Sequence, residues 1–477
     1  MKFVPVCLLF MLSASIAHAQ SPSFDTYVNP VIPGDHPDPT LTRIGDYFYT
    51  TGSSFNPTPK IWRSTDLIHW EVISQPVSAA WTQYGDAPAG GAWGGHIVYH
   101  NGEYWHYFGL GANMWYVKAD QPEGPWSDPV SLRVPSGVPG LGRDNSIFID
   151  DDGRWYLLVK NGQSVNYIVE LDETGQPNGE VFNLSWLNPA PDLPYGWAEG
   201  PVMWKREGRY YYSFAQHLAG VQYVMWSDTL SDDPQHWSQP RQLFESVADR
   251  GSRFFRDPNH NSPAVVDNEG RWWSVSHAYR NGIGSEWMSH GRQGLLTEIV
   301  YDEEGVPTAL FPANGPMNAP NLPSGGVGWS VPKSDMFDEP TLDPEWSFLG
   351  YTPTTRWSLT ERPGWLRLRP QGNQNTVIKN DGELSWSIIT RVDFAPEMAS
   401  HEAGLWVFNG LETIQAKLFS SVNEAGNPII VFTYETNYQV VPNTAGNVVW
   451  LKLERFNHRM TGYFSANGRD WTQVGDP

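Results

Sequence analysis

The sequence predicts an all-β protein, a five-bladed β-propeller followed by a β-sandwich, and a repeat, the composition and the length carry that expectation. A strand–turn–strand unit is clearest at Asp144-Asn145-Ser146-Ile147-Phe148-Ile149-Asp150-Asp151-Asp152-Gly153-Arg154-Trp155-Tyr156, and its turn returns at Ile44-Gly45-Asp46, Asn101-Gly102-Glu103, Glu207-Gly208-Arg209 and Glu269-Gly270-Arg271. In each unit a glycine among polar residues supplies the left-handed backbone that a tight hairpin needs, and β-branched or aromatic residues flank it. The glycines at 45, 102, 153, 208 and 270 are 57, 51, 55 and 62 residues apart, about the size of one four-stranded sheet with its loops. The 45 Gly, 39 Pro, 24 Trp, 21 Tyr and 21 Phe favour turns and sheets over helices. At 477 residues the chain exceeds what one core usually supports, so two domains are expected.

Taken in order, residues 1–19 combine Lys2, an apolar run and the small-residue ending Ala17-His18-Ala19. They read as a signal peptide cleaved before Gln20, which implies a secreted or periplasmic protein. No later stretch reaches the roughly 18 apolar residues of a membrane span. The propeller is expected over residues 20–311. Its first blade opens after Asp38, which is held between Pro37 and Pro39, and proline on either side restricts the backbone there. Outer hairpins follow near residues 61–70, 114–126 and 223–237, and the third blade carries the weakest outer pair, near residues 166–175. The fifth blade runs past His277 to Arg292 and a strand at 295–301. Residues 312–333 turn to Pro, Gly, Asn and Ser and read as a linker. A sandwich is expected from 334 to 477, with strands near 365–368, 385–392, 403–408, 429–434, 448–454 and 460–465. Because the sequence stops soon after Trp471, this domain is either small or incomplete, with an exposed or incompletely paired edge.

The repeat also locates a candidate site. Seven to ten residues before each turn glycine stand Asp38, Trp93, Asp144, Glu199 and His260. First strands of propeller blades usually line the central channel, so these positions should surround one channel mouth. Three carboxylates, an indole and an imidazole would then face one another. Singly, each has a plainer reading: Asp144 as a turn opener, Glu199 as a solvated strand end, most tryptophans as filling between sheets.

Composition removes several function classes. Cys7 is the only cysteine and would leave with the signal, so thiol catalysis, disulfides and cysteine-ligated zinc are excluded from the mature chain. A formal net charge of −21 argues against nucleic acid or an anionic membrane surface as partner. Neutral polymers remain, and exposed indoles suit sugar faces.

The motifs Asn29-Pro30, His36-Pro37-Asp38-Pro39, Asp144-Asn145-Ser146, Glu199-Gly200-Pro201 and Gly291-Arg292-Gln293 together resemble glycoside hydrolase family 43, on the side of its β-xylosidases and α-L-arabinofuranosidases. The resemblance runs over residues 27–311, and residues 337 onward are similar to the concanavalin-like sandwich that often accompanies that family. It implies that Asp38 is a general base, Glu199 the general acid, and Asp144 the residue that orients and tunes the acid. Arg292 would keep Asp38 ionised. Such a pair hydrolyses an acetal with inversion, one carboxylate activating water while the other protonates the leaving oxygen. The resemblance further implies sugar contacts from Phe55 and Trp93, although Gly94-Gly95 replaces the family's usual Ala-Pro after that tryptophan. It matches His260 to a channel histidine that in several members holds calcium through water; a hydrogen-bonded histidine with no ion is the equal alternative, and no cofactor is otherwise required. The implied substrate is a plant cell-wall polysaccharide or oligosaccharide that loses terminal xylose or arabinofuranose. An arabinan- or arabinoxylan-debranching enzyme and a non-catalytic carbohydrate-binding propeller are the alternatives. The sequence sets no oligomeric state.

Overall fold

The five hairpin turns form as their glycines dictate. Gly45, Gly102, Gly153, Gly208 and Gly270 all adopt positive φ, between 61° and 85°, where a side chain would be strained. The computed structural model describes residues 24–475 apart from 55–57, 85–90, 164, 189–196, 217–219, 245–254, 282–286, 311–314, 326–332, 371–374, 381, 384, 409–413, 435 and 457–458. The signal peptide read at residues 1–19 and the candidate Phe55 therefore lie outside the described residues.

Five antiparallel sheets follow one another along the chain. The first comprises Thr40–Ile44, Tyr47–Thr51, Ile61–Ser64 and Glu71–Ser74. The second holds Trp93–His100, Glu103–Leu110, Asn113–Ala119 and Val130–Ser131. In the third are Ser146–Ile149, Trp155–Asn161, Val165–Leu171 and Pro177–Asn183, and in the fourth Ala198–Arg206, Arg209–Gln216, Val221–Ser227 and Arg241–Gln242. The fifth is built on the long hairpin Trp272–Asn281 and Trp287–Tyr301, flanked by Phe255–Asn259, Val265–Val266 and Pro307–Ala309. The third sheet departs from the sequence reading. Its fourth strand runs seven residues, where those of the second and fourth sheets have two. Polar Asn178, Gly179 and Glu180 suit an exposed sheet edge and hid the strand.

Apolar clusters lie between successive sheets. Tyr107, Trp155 and Leu157 join the second to the third, Tyr156, Met203 and Tyr212 the third to the fourth, and Trp204, Tyr211 and Ile299 the fourth to the fifth. The fifth packs in turn on the first through Trp273, Val275, Leu41 and Trp62. Trp273 is fully buried, and truncating it to alanine is expected to cost about 3–5 kcal/mol. Hydrogen bonds repeat the same order near the strand starts. Thr40 Oγ1 donates to Gly95 O at 2.6 Å, Ile147 N to His96 Nδ1 at 2.9 Å, Ser146 Oγ to Pro201 O at 2.6 Å, Ser213 Oγ to Asn261 Oδ1 at 2.8 Å and Asp38 N to His277 Nδ1 at 2.9 Å. These links satisfy buried polar groups that would otherwise be costly, and they draw the strand starts together.

The C-terminal residues form two four-stranded antiparallel sheets. One contains Ser385–Asp393, Val448–Phe456, Arg459–Ser465 and Thr472–Val474, the other Ala403–Phe408, Ile414–Val422, Pro428–Tyr434 and Asn437–Pro442. The strands Ile414–Val422, Asn437–Pro442 and Thr472–Val474 are additions to those read from the sequence. In the first of these sheets Thr472–Val474 pairs on one side only, and at the opposite edge Ile388 and Ile389 are exposed. This unit contacts the first sheet and its approach. Lys60 Nζ donates to Glu345 O at 2.6 Å, Thr352 N to Ala79 O at 2.7 Å, and Asn380 Nδ2 to Asp35 O at 3.1 Å. Among the described residues no helix is long and apolar enough to cross a membrane.

Candidate active site

Near the start of each sheet, and in the fifth just after its strand Phe255–Asn259, stands a residue or glycine in the left-handed region. They are Asp38 (φ 53°), Gly94 (57°), Asp144 (61°), Gly200 (54°) and His260 (47°). The structural repeat therefore differs by one residue from the spacing read in the sequence, because Trp93 and Glu199 each precede the left-handed position. Glycine at 94 and 200 takes up that position without a Cβ penalty, and the pairing slips between Trp93 and His96 and again between Glu199 and Val202. Such bulges re-aim a side chain at a sheet end.

Asp38, Glu199, His260 and Arg292 meet directly. Asp38 Oδ1 lies 2.9 Å from Arg292 Nη1 and 3.4 Å from His260 Nδ1, while Oδ2 accepts the Ser53 hydroxyl at 2.6 Å. His260 Nε2 lies 3.3 Å from Glu199 Oε1, and Glu199 Oε2 lies 3.3 Å from Lys160 Nζ. One imidazole thus separates the two carboxyl groups. Asp38, Asp144, Gly94, Gly200 and His260 also line a common small cavity. Asp144 Oδ1 is buried and has no hydrogen-bond partner among the described residues. Trp93 adjoins Gly94, where a Cβ would come within 2.7 Å of the Asp144 backbone. The Arg143 guanidinium lies over the Trp93 ring, 4.5 Å from its centroid.

The electrostatics differ among the acids. Burial would raise the Asp38 pKa, but Arg292, His260 and His277 outweigh it and hold this carboxyl well below its ordinary value. Asp144 moves the other way. Burial, and then the Asp38 charge, push it up to about 6, against the pull of Lys160 and His260. Burial likewise disfavours a charged His260, yet Asp38, Glu199 and Asp144 together raise its pKa. Burial lowers His277 to about 3, so it is neutral. Since its Nδ1 accepts the Asp38 N–H, its proton sits on Nε2.

Sequence reasoning missed Ser53, Lys160 and His277. Lys160 left a signal, a lone cation ending the apolar run of 155–159 in a strand that proves buried. Asn145 pins that strand by accepting from Lys160 N at 2.8 Å and donating to Leu141 O at 2.8 Å. His277 lies in a strand among buried serines and resembles core filling; Ser53 gave no signal.

A carboxyl kept ionised by arginine, facing a second carboxyl across one ring on a five-sheet scaffold, is apparatus suited to splitting an acetal, and the protein is a glycosidase. The chain belongs to glycosyl hydrolases family 43, whose model matches residues 27–307, and the β-xylosidase C-terminal concanavalin A-like domain matches residues 334–477. It is 29% identical over 437 residues to a non-reducing end α-L-arabinofuranosidase of Bacteroides ovatus, covering 84% of this chain and 76% of the relative. It is 26% identical to a xylan 1,3-β-xylosidase of a Vibrio species, covering 94% and 90%. The crystal structure of a xylan β-1,4-xylosidase from Bacillus halodurans superposes with a TM-score of 0.80 at 27% identity, over 94% of this chain and 91% of that one.

Proposed function

We propose that this protein is a secreted, inverting, exo-acting glycoside hydrolase that removes terminal xylose, or arabinofuranose, from xylan-derived oligosaccharides. The observation that carries the reading is that Asp38 and Glu199 contact the two nitrogens of one imidazole, at 3.4 and 3.3 Å. Two such contacts and one ring fit a carboxyl separation on the order of the 6.5–9.5 Å at which inverting pairs admit a water between base and sugar.

Asp38, held ionised, takes the proton from that water. Glu199 delivers its proton to the leaving oxygen, and Lys160 and His260 fix the orientation of its carboxyl. Asp144 supplies negative charge that opposes early ionisation of the acid, and its Oδ1 can accept from a sugar hydroxyl. Arg292 and Trp93 line the sugar site, and Phe55 follows the same carry-over from the family. The residues around His260 suit a protonated bridge better than a cation ligand, since both ring nitrogens face carboxylates and its pKa is raised; no cofactor is assigned. Contacts of the C-terminal domain beside Asp35, whose carboxylate accepts Arg292 N at 2.8 Å, support a walled pocket and hence exo action.

An arabinan- or arabinoxylan-debranching enzyme on the same scaffold is the second reading, favoured by the Bacteroides relative. Nitrophenyl β-xyloside, nitrophenyl α-arabinofuranoside and linear arabinan separate the two. Proton NMR of the first-formed anomer tests inversion, and initial release of the retained anomer refutes it.

A further inference from the structure

The C-terminal sandwich carries a groove on the side of one sheet that faces away from its core. Ala416, Leu418, Ile430 and Phe432 point into the core, so alternation along the strands turns Lys417, Phe419, Ser421, Val431 and Thr433 to the other face. That face encloses about 570 Å³, within the roughly 300–1,000 Å³ typical of ligand sites. Its floor is apolar and well packed, with Phe419 4% and Val431 1% exposed despite pointing away from the core. Gly404 pairs opposite Phe419, so no side chain from the edge strand stands beside the ring. Along one row Lys417 pairs with Thr433 and Thr433 with Tyr438, and Tyr438 is 65% exposed.

The charges at this groove narrow the occupant. Lys417 Nζ is neutralised by Glu402 at 2.8 Å and rests over the Trp406 ring, 4.6 Å from its centroid. With Glu424 as the one further carboxylate of the lining, the groove offers fixed donors and acceptors and no surplus of cations, in a chain whose overall −21 repels polyanions. An exposed aromatic face at one end, an ion pair at the other and an apolar floor between them match an uncharged polyhydroxylated chain with C–H faces. Four strands span about 14 Å at normal sheet spacing, room for more than one sugar ring.

We propose that this groove is a second carbohydrate-binding site, remote in sequence from the propeller acids, that holds a neutral pentose polymer while the propeller cleaves chain ends. The choice of polymer rests on the function proposed above. Affinity electrophoresis of the full chain in gels containing soluble arabinoxylan or linear arabinan tests it. The unsubstituted protein is expected to be retarded by one of them, and Tyr438→Ala and Lys417→Met to weaken retardation about tenfold, the effect of losing one good contact. Both variants should keep their thermal midpoints and turn over nitrophenyl pentosides within about twofold. Glu199→Gln should stay fully retarded. Loss of retardation in Glu199→Gln, undiminished retardation in both groove variants, or no retardation of the unsubstituted protein in either gel each overturns the proposal. Nitrophenyl turnover reports independently on the propeller site: its absence alongside Tyr438-dependent retardation would refute the proposed reaction and leave the groove standing.

Discussion

Replacing Arg292 by methionine should convert the strongly acidic Asp38 carboxyl into a weaker one. Arg292 Nη1 stands 2.9 Å from Asp38 Oδ1, and the aspartate is 7% exposed. At an effective dielectric of about 20, unit charges at that distance attract by about 6 kcal/mol. Burial of both groups and partial solvation of the guanidinium consume part of this, and arginine neighbours typically lower an aspartate by about 1–3 pKa units, about 1.4–4 kcal/mol. Methionine keeps the stem volume and removes the charge. Asp38 should then rise by that amount, held down by His260, His277 and the Ser53 hydroxyl. Because the base works ionised, the acid limb of kcat/KM moves to higher pH by the same 1–3 units, with rate falling about tenfold per unit below it. Stability follows the same sign. A folded-state pKa below the unfolded value stabilises above about pH 4 and loses that stabilisation as pH falls through the folded value, so the variant should be less stable at neutral pH. Nitrophenyl pentoside kinetics across pH measure the limb, and urea unfolding measures the stability. An acid limb unmoved in Arg292→Met, with the protein folded, refutes Asp38 as the base.

The other acids behave differently. Glu199→Gln should lower kcat by about 10²–10⁴ on oligosaccharides, less on nitrophenyl substrates with their easier leaving group; equal losses on both would remove Glu199 from the acid role. Asp144, pushed up to about 6, holds its proton more tightly folded than unfolded, so it costs stability as pH rises from about 4 to 6. Asp144→Asn should therefore gain about 1–2 kcal/mol at pH 7, allowing for its partial exposure, while activity falls; a lower thermal midpoint at pH 7 contradicts this. In Gly200→Ala the new Cβ would overlap the His260 ring at a residue with φ 54°. The expected loss is about 1–3 kcal/mol of stability and about 10²-fold in kcat, whereas an unchanged kcat would mean that His260 does not hold the acids in register.

Some of this was legible because it is local. A hairpin glycine is required by the backbone of its own turn, and a Cβ added to any of the five turn glycines would meet nothing within 4 Å, so their spacing alone exposed five sheets. Asp38 and Asp144 were legible because each occupies the left-handed position itself. Of the partners that set their charge, Arg292 was reached only through the family motif Gly291-Arg292-Gln293 and His277 was not reached at all. His277 and Arg292 reach Asp38 across 239 and 254 residues, and no period relates them to the repeat. The strand Ile414–Val422 was hidden because Lys417, Ser420 and Ser421 blur its alternation, although Ser420 and Ser421 are buried by neighbouring strands.

The left-handed position of each sheet start explains why the same scaffold yields unlike side chains at one mouth. Where the position is Asp or His, that side chain itself reaches the centre. Where it is glycine at 200, the preceding Glu199 does, and at both 94 and 200 the glycine becomes a floor on which a neighbour rests. Gly200 sits against the His260 ring and Gly94 against the Asp144 backbone, so neither neighbour could approach if the glycine carried a Cβ. Glu199 can therefore lie on the opposite side of His260 from Asp38, with the imidazole wedged between them by the backbone rather than by flexible side chains. The separation of the proposed base and acid, on which the proposed single displacement depends, is thus set by two glycines and one histidine at left-handed positions.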